Sequence, residues 1–262
     1  MRVLGIDSAT LVAGVAVIEE EKVIAEGFLQ TRKTHSERLL PLIAQWLQEA
    51  ELTLKEIDGI AVTSGPGSFT GLRIGAATAK GLAQAAGKPL VGVPTLDALA
   101  LNAAGVRLIC PILNARKGEV YTALYASFSP SRLGRLSHYA AFSPAELVQR
   151  LTGGEMPWLE KPLELGTGKE LAWGIFSGLL AGETPVLFLG DGVEVYRDYL
   201  EQELNESACW ALPGQNFLRA AQVAFLGLES FRQGRSDDVY TFVPHYIRLS
   251  EAEAKKQKQG KA

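Results

Sequence analysis

Polar and apolar positions along this chain follow two alternating rhythms. Residues 2–6, 13–18 and 23–28 are short runs rich in Val, Ile, Leu and Ala, and the acidic turn Glu19-Glu20-Glu21-Lys22 separates the second from the third. Runs of this length bounded by turns predict three strands of an antiparallel meander. The rhythm then changes. Within residues 35–50, Leu39, Ile43, Trp46 and Leu47 recur at helical spacing, with Thr34 or Ser36 placed to cap the start. Residues 57–63 predict a strand, 71–86 an Ala- and Gly-rich helix, 89–93 a strand and 95–103 a helix.

A second round follows. Residues 107–113, 120–128 and 133–142 predict three strands. Ser143-Pro144 marks a helix start running to about Leu151. Residues 186–189 predict a strand, 193–204 a helix and 216–231 a final amphipathic helix. The order strand-strand-strand-helix-strand-helix occurs twice, although the halves barely match residue by residue. A meander feeding alternating strands and helices implies an α/β protein with mixed sheets covered by helices. Residues 152–185, rich in Gly and Pro, carry no clear pattern.

Composition narrows the function classes. The 262 residues carry 26 Lys plus Arg and 29 Asp plus Glu, a formal net charge of −3. The last eight residues hold four Lys and no acid, so the body is more acidic still. That balance argues against tight, independent binding of nucleic acid by the body. Cys110 and Cys209 form no CxxC pair and read as ordinary buried thiols of a reducing compartment. Asp7 and the lack of a long apolar run argue against a secretory leader, and no stretch approaches a membrane span. A cytoplasmic protein is expected.

The glycines of residues 64–71, Ser-Gly-Pro-Gly-Ser-Phe-Thr-Gly, follow a predicted strand and open a helix, where free N–H groups attract anions. Gly65, Gly67 and Gly71 are one residue too widely spaced for a dinucleotide fingerprint. No acid occurs between Asp58 and Asp97, and no Gly-Lys pair completes a P-loop. Gly67, Gly71 and Gly75, continued by Ala79 and Ala83, form a small-residue stripe. It permits close packing either on the protein's own sheet or on a partner's helix. Asp7-Ser8 at the end of the first strand suits either a metal–phosphate site or a locally hydrogen-bonded turn. At the equivalent point of the second half stands Asn114, a neutral amide where magnesium–phosphate chemistry favours a carboxylate. Gly190-Asp191-Gly192 is a third strand-to-helix turn able to admit a nucleotide near the backbone. No GxSxG elbow is present. The three histidines, His35, His138 and His245, have no metal-ligand spacing.

Taken in order, LGIDSAT, THSERLLP, SGPGSFTGLRIG, NARKGEVY, GDG and PHYIRLSEAE resemble the TsaB (YeaZ) family along nearly the whole chain. The resemblance implies an actin-like (sugar kinase/Hsp70/actin) fold of two related lobes, residues 1–104 and 105–250, each a mixed sheet with helices. It implies a flexible tail at 251–262 and a final helix, 216–231, packing back on the first lobe. It further implies a role in forming N6-threonylcarbamoyladenosine at position 37 of tRNAs reading codons that start with A. In that system TsaD transfers the threonylcarbamoyl group, the ATPase TsaE completes the assembly, and TsaB is a required, non-catalytic scaffold. TsaD-like proteins carry two metal-binding His four residues apart. Thr95 and Leu99 stand at those points here, so neither a catalytic nor a metal residue is expected. Nor is any cofactor required by this chain, although ATP or ADP in the complex is compatible with a vestigial cleft at Asp7, Ser8, Asn114, Gly190, Asp191 and Gly192. The family's partner contact implies that His35, Leu39, Leu40, Ile43, Phe69, Gly71, Leu72 and Gly75 meet TsaD, or a second copy when the protein is alone. tRNA would be held mainly by the complex. The competing reading is an independent actin-like ATPase or a glycoprotease-like peptidase.

Overall fold

The computed structural model describes residues 1–30, 35–106, 108–129, 132–153 and 184–248. The expectations for Thr34 as a cap, for most of 152–185 and for the tail at 251–262 lie outside the described residues.

The first sheet is centred on β1 (Arg2–Asp7). β2 (Val12–Glu19) and β3 (Lys22–Gln30) form the predicted antiparallel meander, and β4 (Gly59–Gly65) and β5 (Leu90–Pro94) run parallel to β1 on its other side. The strand order is β3-β2-β1-β4-β5. β1 reads as an unbroken apolar run because both of its faces are covered. Val3 joins one core and Leu4 and Ile6 the other, as a side-chain period of two requires.

The outer face of this sheet is covered by α1 (His35–Glu49) and α2 (Phe69–Ala86). The hydroxyl of Ser68 accepts the Gly71 N–H at 3.3 Å and so fixes the start of α2. The expected 95–103 helix is α3 (Thr95–Ala100) tightening into a 3-10 turn over Leu101–Ala103.

The second sheet repeats the first. β6 (Leu108–Arg116) is central; β7 (Glu119–Thr122) and β10 (Ala140–Phe142) extend it antiparallel. β11 (Val186–Leu189) and β12 (Ala208–Trp210) extend it in parallel on the other side. With the hairpin of β8 (Tyr125–Ser129) and β9 (Arg132–Arg135) set aside, the order is again third-second-first-fourth-fifth. This doubled topology is the actin-like arrangement. It differs from the expected single strand over 120–128 because the chain breaks at Ala123-Leu124. There the Leu124 N–H donates to Ser137 Oγ at 2.8 Å and its carbonyl accepts from the Leu136 N–H at 2.7 Å. The expected 133–142 strand divides accordingly into β9 and β10.

α4 (Pro144–Thr152), capped by Ser143 as its sequence implies, and α5 (Gly192–Leu204) cover the outer face of the second sheet. α6 (Ala220–Arg232) lies with α3 between the sheets, across β1, β2 and β4. It approaches closely: a Cβ on Gly5 would stand 2.4 Å from the Ala220 carbonyl oxygen, and one on Gly227 2.4 Å from Ala61 Cβ. The helix begins four residues later than residue 216 because Asn102 Nδ2 holds the carbonyls of Gln215 and Phe217. Residues 237–248 then return along the first sheet. The Asp237 N–H meets the Leu90 carbonyl at 2.7 Å, Phe242 is buried, and the His245 N–H reaches the Ser64 carbonyl at 2.7 Å.

Cys110 is buried and its thiol is pushed up to about 12 by desolvation. Cys209, expected to be buried, is exposed on the edge strand β12. No helix among the described residues is long and apolar enough to cross a membrane.

Candidate functional site

A cleft of about 710 Å³ opens where the carboxyl ends of β1, β4, β6 and β11 converge, the position at which α/β sheets present ligand sites. Its walls are the turn after β1, the loop entering α2, the β6–β7 hairpin, Asp191, and residues 245–248.

The six residues expected to form a nucleotide site divide in two. Asn114 and Asp191 line the cleft; Asp7, Ser8, Gly190 and Gly192 are buried behind its wall. Asp7 Oδ1 accepts the Ala9 N–H at 2.9 Å, as in the locally bonded turn, while Oδ2 is buried without a hydrogen-bond partner. Desolvation raises the Asp7 carboxyl to about 7, although the Ala9 N–H favours the ionised form. Asp191 Oδ1 accepts the Asn114 N–H at 2.8 Å, and burial raises its carboxyl too. Gly190, at φ 113°, is packed against β6; a Cβ there would stand 2.3 Å from the Ile112 carbonyl oxygen. One oxygen each of Asp7 and Asp191 is thus taken up by a backbone N–H, and Gly190 lies against backbone.

The cleft instead carries cations that sequence reading did not single out as a group. Among the described residues, Arg73, Arg116, Lys117 and Arg248 line it, against one lining carboxylate, Asp191. Arg73 lies over the Phe69 ring, 3.9 Å from its centroid, and its Nε donates to Tyr246 Oη at 3.3 Å. The Tyr246 and Phe69 ring centroids are 4.7 Å apart. Arg248 pairs with Glu119 and donates to the Ala115 carbonyl at 3.5 Å. Arg116 and Lys117 occupy the hairpin tip in left-handed backbone, at φ 60° and 55°. L-residues there cost on the order of 1 kcal/mol each relative to glycine. The one local signal was this Arg-Lys pair preceding Gly118, where hairpins favour Asn-Gly; the other cations come together only through the fold.

The residues expected to meet a partner also separate. Leu39, Ile43 and Leu72 are each about 1% exposed and pack inward. The small-residue stripe faces β1: a Cβ on Gly71 would stand 2.1 Å from the Ser8 carbonyl oxygen, and one on Gly75 2.2 Å from Ser8 Oγ. These five are therefore corrected from a docking face to internal packing. Leu40 remains 54% exposed. His35 and Phe69 are half-buried; His35 Nε2 donates to the Thr10 carbonyl at 2.7 Å.

At the start of α3, Thr95 and Leu99 are fully buried, and Thr95 Oγ1 has no hydrogen-bond partner. Between them, Asp97 Oδ1 accepts from Tyr125 Oη at 2.6 Å and Tyr139 Oη at 2.8 Å. Burial raises the Asp97 carboxyl, and the two phenols and the nearby Arg135 offset this. The tether joins α3 to the β8–β9 hairpin and the segment leading to β10. Sequence reading missed it; a lone acid in an otherwise apolar helix was its only sign.

Comparison with known proteins agrees with this architecture. The model of the TsaD family, described as tRNA N6-adenosine threonylcarbamoyltransferase, matches residues 26–256. Over 256 residues the chain is 33% identical to tRNA threonylcarbamoyladenosine biosynthesis protein TsaB of Bacillus subtilis, covering 97% of each chain. It is 35% identical over 193 residues to TsaB of Escherichia coli, covering 71% of this chain and 81% of that one. Among solved structures, YeaZ from Pseudomonas aeruginosa matches with a TM-score of 0.71 at 23% identity, over 94% of this chain and 99% of that chain, a likeness of fold.

Proposed function

The chain belongs to the TsaB family, and on that premise we propose that it is a non-catalytic subunit of the machinery that makes N6-threonylcarbamoyladenosine at position 37 of tRNA. It works in the cytoplasm, bound to TsaD, with TsaE completing the assembly. When alone, it pairs with a second copy through the same surface. It needs no cofactor of its own.

The observation that carries this reading is the state of α3. A TsaD-like transferase places two metal-binding His there; in this chain Thr95 and Leu99 are packed into the core, and Asp97 between them is held by two tyrosines. An aliphatic side chain cannot ligate a metal, and a buried threonine hydroxyl is a poor substitute for imidazole. The buried backs of Gly71 and Gly75 leave Leu40, with the accessible parts of His35 and Phe69, as the contact surface for TsaD.

The test is co-elution with TsaD on a sizing column. The wild-type chain is expected to form a complex. Leu40→Glu, on an exposed position, is expected to keep its circular dichroism and thermal transition while losing the complex. Failure of the wild-type chain to bind TsaD would sink the partner assignment, and an undiminished complex with Leu40→Glu would sink the surface assignment.

A further inference from the structure

The cleft concentrates positive charge in a chain whose net charge is −3. We propose that it grips a short segment of the RNA itself, with Arg73, Arg116, Lys117 and Arg248 on the phosphodiesters and the Tyr246–Phe69–Arg73 stack beside a base; this rests on the role in tRNA modification argued above. Three observations favour RNA over other occupants.

The first is charge. Among the described residues the lining holds four cationic side chains and one carboxylate, Asp191, which is bonded to the Asn114 N–H; of the four cations, Arg248 is already paired with Glu119. Among the described residues neither Arg73 nor Arg116 has an acidic partner. Their charges are directed at solvent in the cleft, where a phosphate chain supplies the missing counter-charge.

The second is form. Arg73 is not a loose surface arginine. It is clamped over the Phe69 ring and bonded through Nε to Tyr246. An oriented guanidinium beside aromatic rings suits bases and backbone of an unpaired strand, which present a flat face and a phosphate together.

The third is the poor fit of the alternative small ligand. A nucleoside triphosphate carried on a divalent cation needs carboxylate oxygens in the cleft. Asp7 is sealed behind the wall, Asn114 is an amide, Gly190 is closed against Ile112, and Asp191, the lining carboxylate, has one oxygen committed to the Asn114 N–H. Recognition here falls to arginine and lysine, which suits phosphodiesters without bound metal.

The experiment uses the full chain with a fluorescein-labelled tRNA anticodon stem-loop, and reads anisotropy across a series of salt concentrations. Binding is expected, with a log–log salt slope of about −2 to −3 from three or four neutralised phosphates. The double variant Arg73→Glu/Arg116→Glu is expected to weaken binding at least tenfold and to flatten the slope by about 1.4. Both positions are exposed, and an unchanged thermal transition verifies the fold. Excess Mg–ATP is expected to leave the RNA bound. No RNA binding at low salt, equal binding and slope in the variant, or displacement of RNA by stoichiometric Mg–ATP would each overturn the proposal. The role itself is read separately, from tRNA modification by TsaD and TsaE with and without the wild-type chain. A requirement for the chain combined with absent RNA binding removes only the cleft assignment. No requirement for the chain removes the underlying role.

Discussion

Gly75 sits directly against Ser8: a Cβ at position 75 would stand 2.2 Å from Ser8 Oγ, while its next neighbours, Ser8 Cβ and Val62 Cγ2, would both be 3.5 Å away. One oxygen atom therefore decides what position 75 tolerates. Gly75→Ala is expected to cost about 1–3 kcal/mol from overpacking, despite the ~1 kcal/mol that Ala gains over Gly inside a helix. In a chain of this size each 1 kcal/mol lowers Tm by about 2–4 °C. Adding Ser8→Ala removes the clash at the expense of one hydrogen bond to the Gly71 carbonyl. The double variant is thus expected to be more stable than the two single effects predict. Gly71→Ala meets the Ser8 backbone carbonyl instead and gains nothing from Ser8→Ala. Additive effects at 8 and 75, measured by thermal unfolding, would contradict this packing.

Asp7 makes stability depend on pH in a defined direction. Its folded carboxyl titrates at about 7, against an ordinary 3.8. The folded state holds this proton more tightly than the unfolded chain, so the contribution is complete below about pH 4 and is lost as pH rises through 7. The loss is on the order of a few kcal/mol. Urea midpoints of the wild type are expected to fall between about pH 4 and pH 7 more steeply than those of Asp7→Asn. Parallel profiles for the two proteins would refute the assignment.

The hairpin tip sets stability against charge. Arg116 holds a left-handed backbone at φ 60°, so Arg116→Gly is expected to raise stability by about 1 kcal/mol. The same change is expected to weaken binding of the labelled stem-loop. A lower Tm would show that the arginine side chain stabilises the hairpin by more than its backbone costs.

Much of the fold was legible because most strands are short apolar runs and most helices repeat at 3.6 residues. β1, β11, α1 and α4 follow almost directly from those rhythms and from Ser143-Pro144. The break between β7 and β8 was not legible. Ala123 and Leu124 are as apolar as their neighbours, and the groups that satisfy Leu124, Ser137 and Leu136, come later in the chain. The site was less legible than the fold. A stripe of small residues announces close approach without saying to what, and only the structure identifies Ser8 as the neighbour of Gly71 and Gly75. Arg73, Arg116 and Arg248 meet in one cleft from three separate elements, a convergence that no local pattern encodes. Asp97, the lone acid of its helix, likewise does not say which two tyrosines hold it.

The most direct test of the central claim is reconstitution. TsaD, TsaE, a source of threonylcarbamoyl-adenylate and unmodified tRNA are combined with and without this chain, and N6-threonylcarbamoyladenosine is quantified by mass spectrometry. The account predicts modification only when the chain is present, and none when the chain is incubated with tRNA and threonylcarbamoyl-adenylate alone. Equal modification without the chain, or modification by the chain by itself, would contradict it.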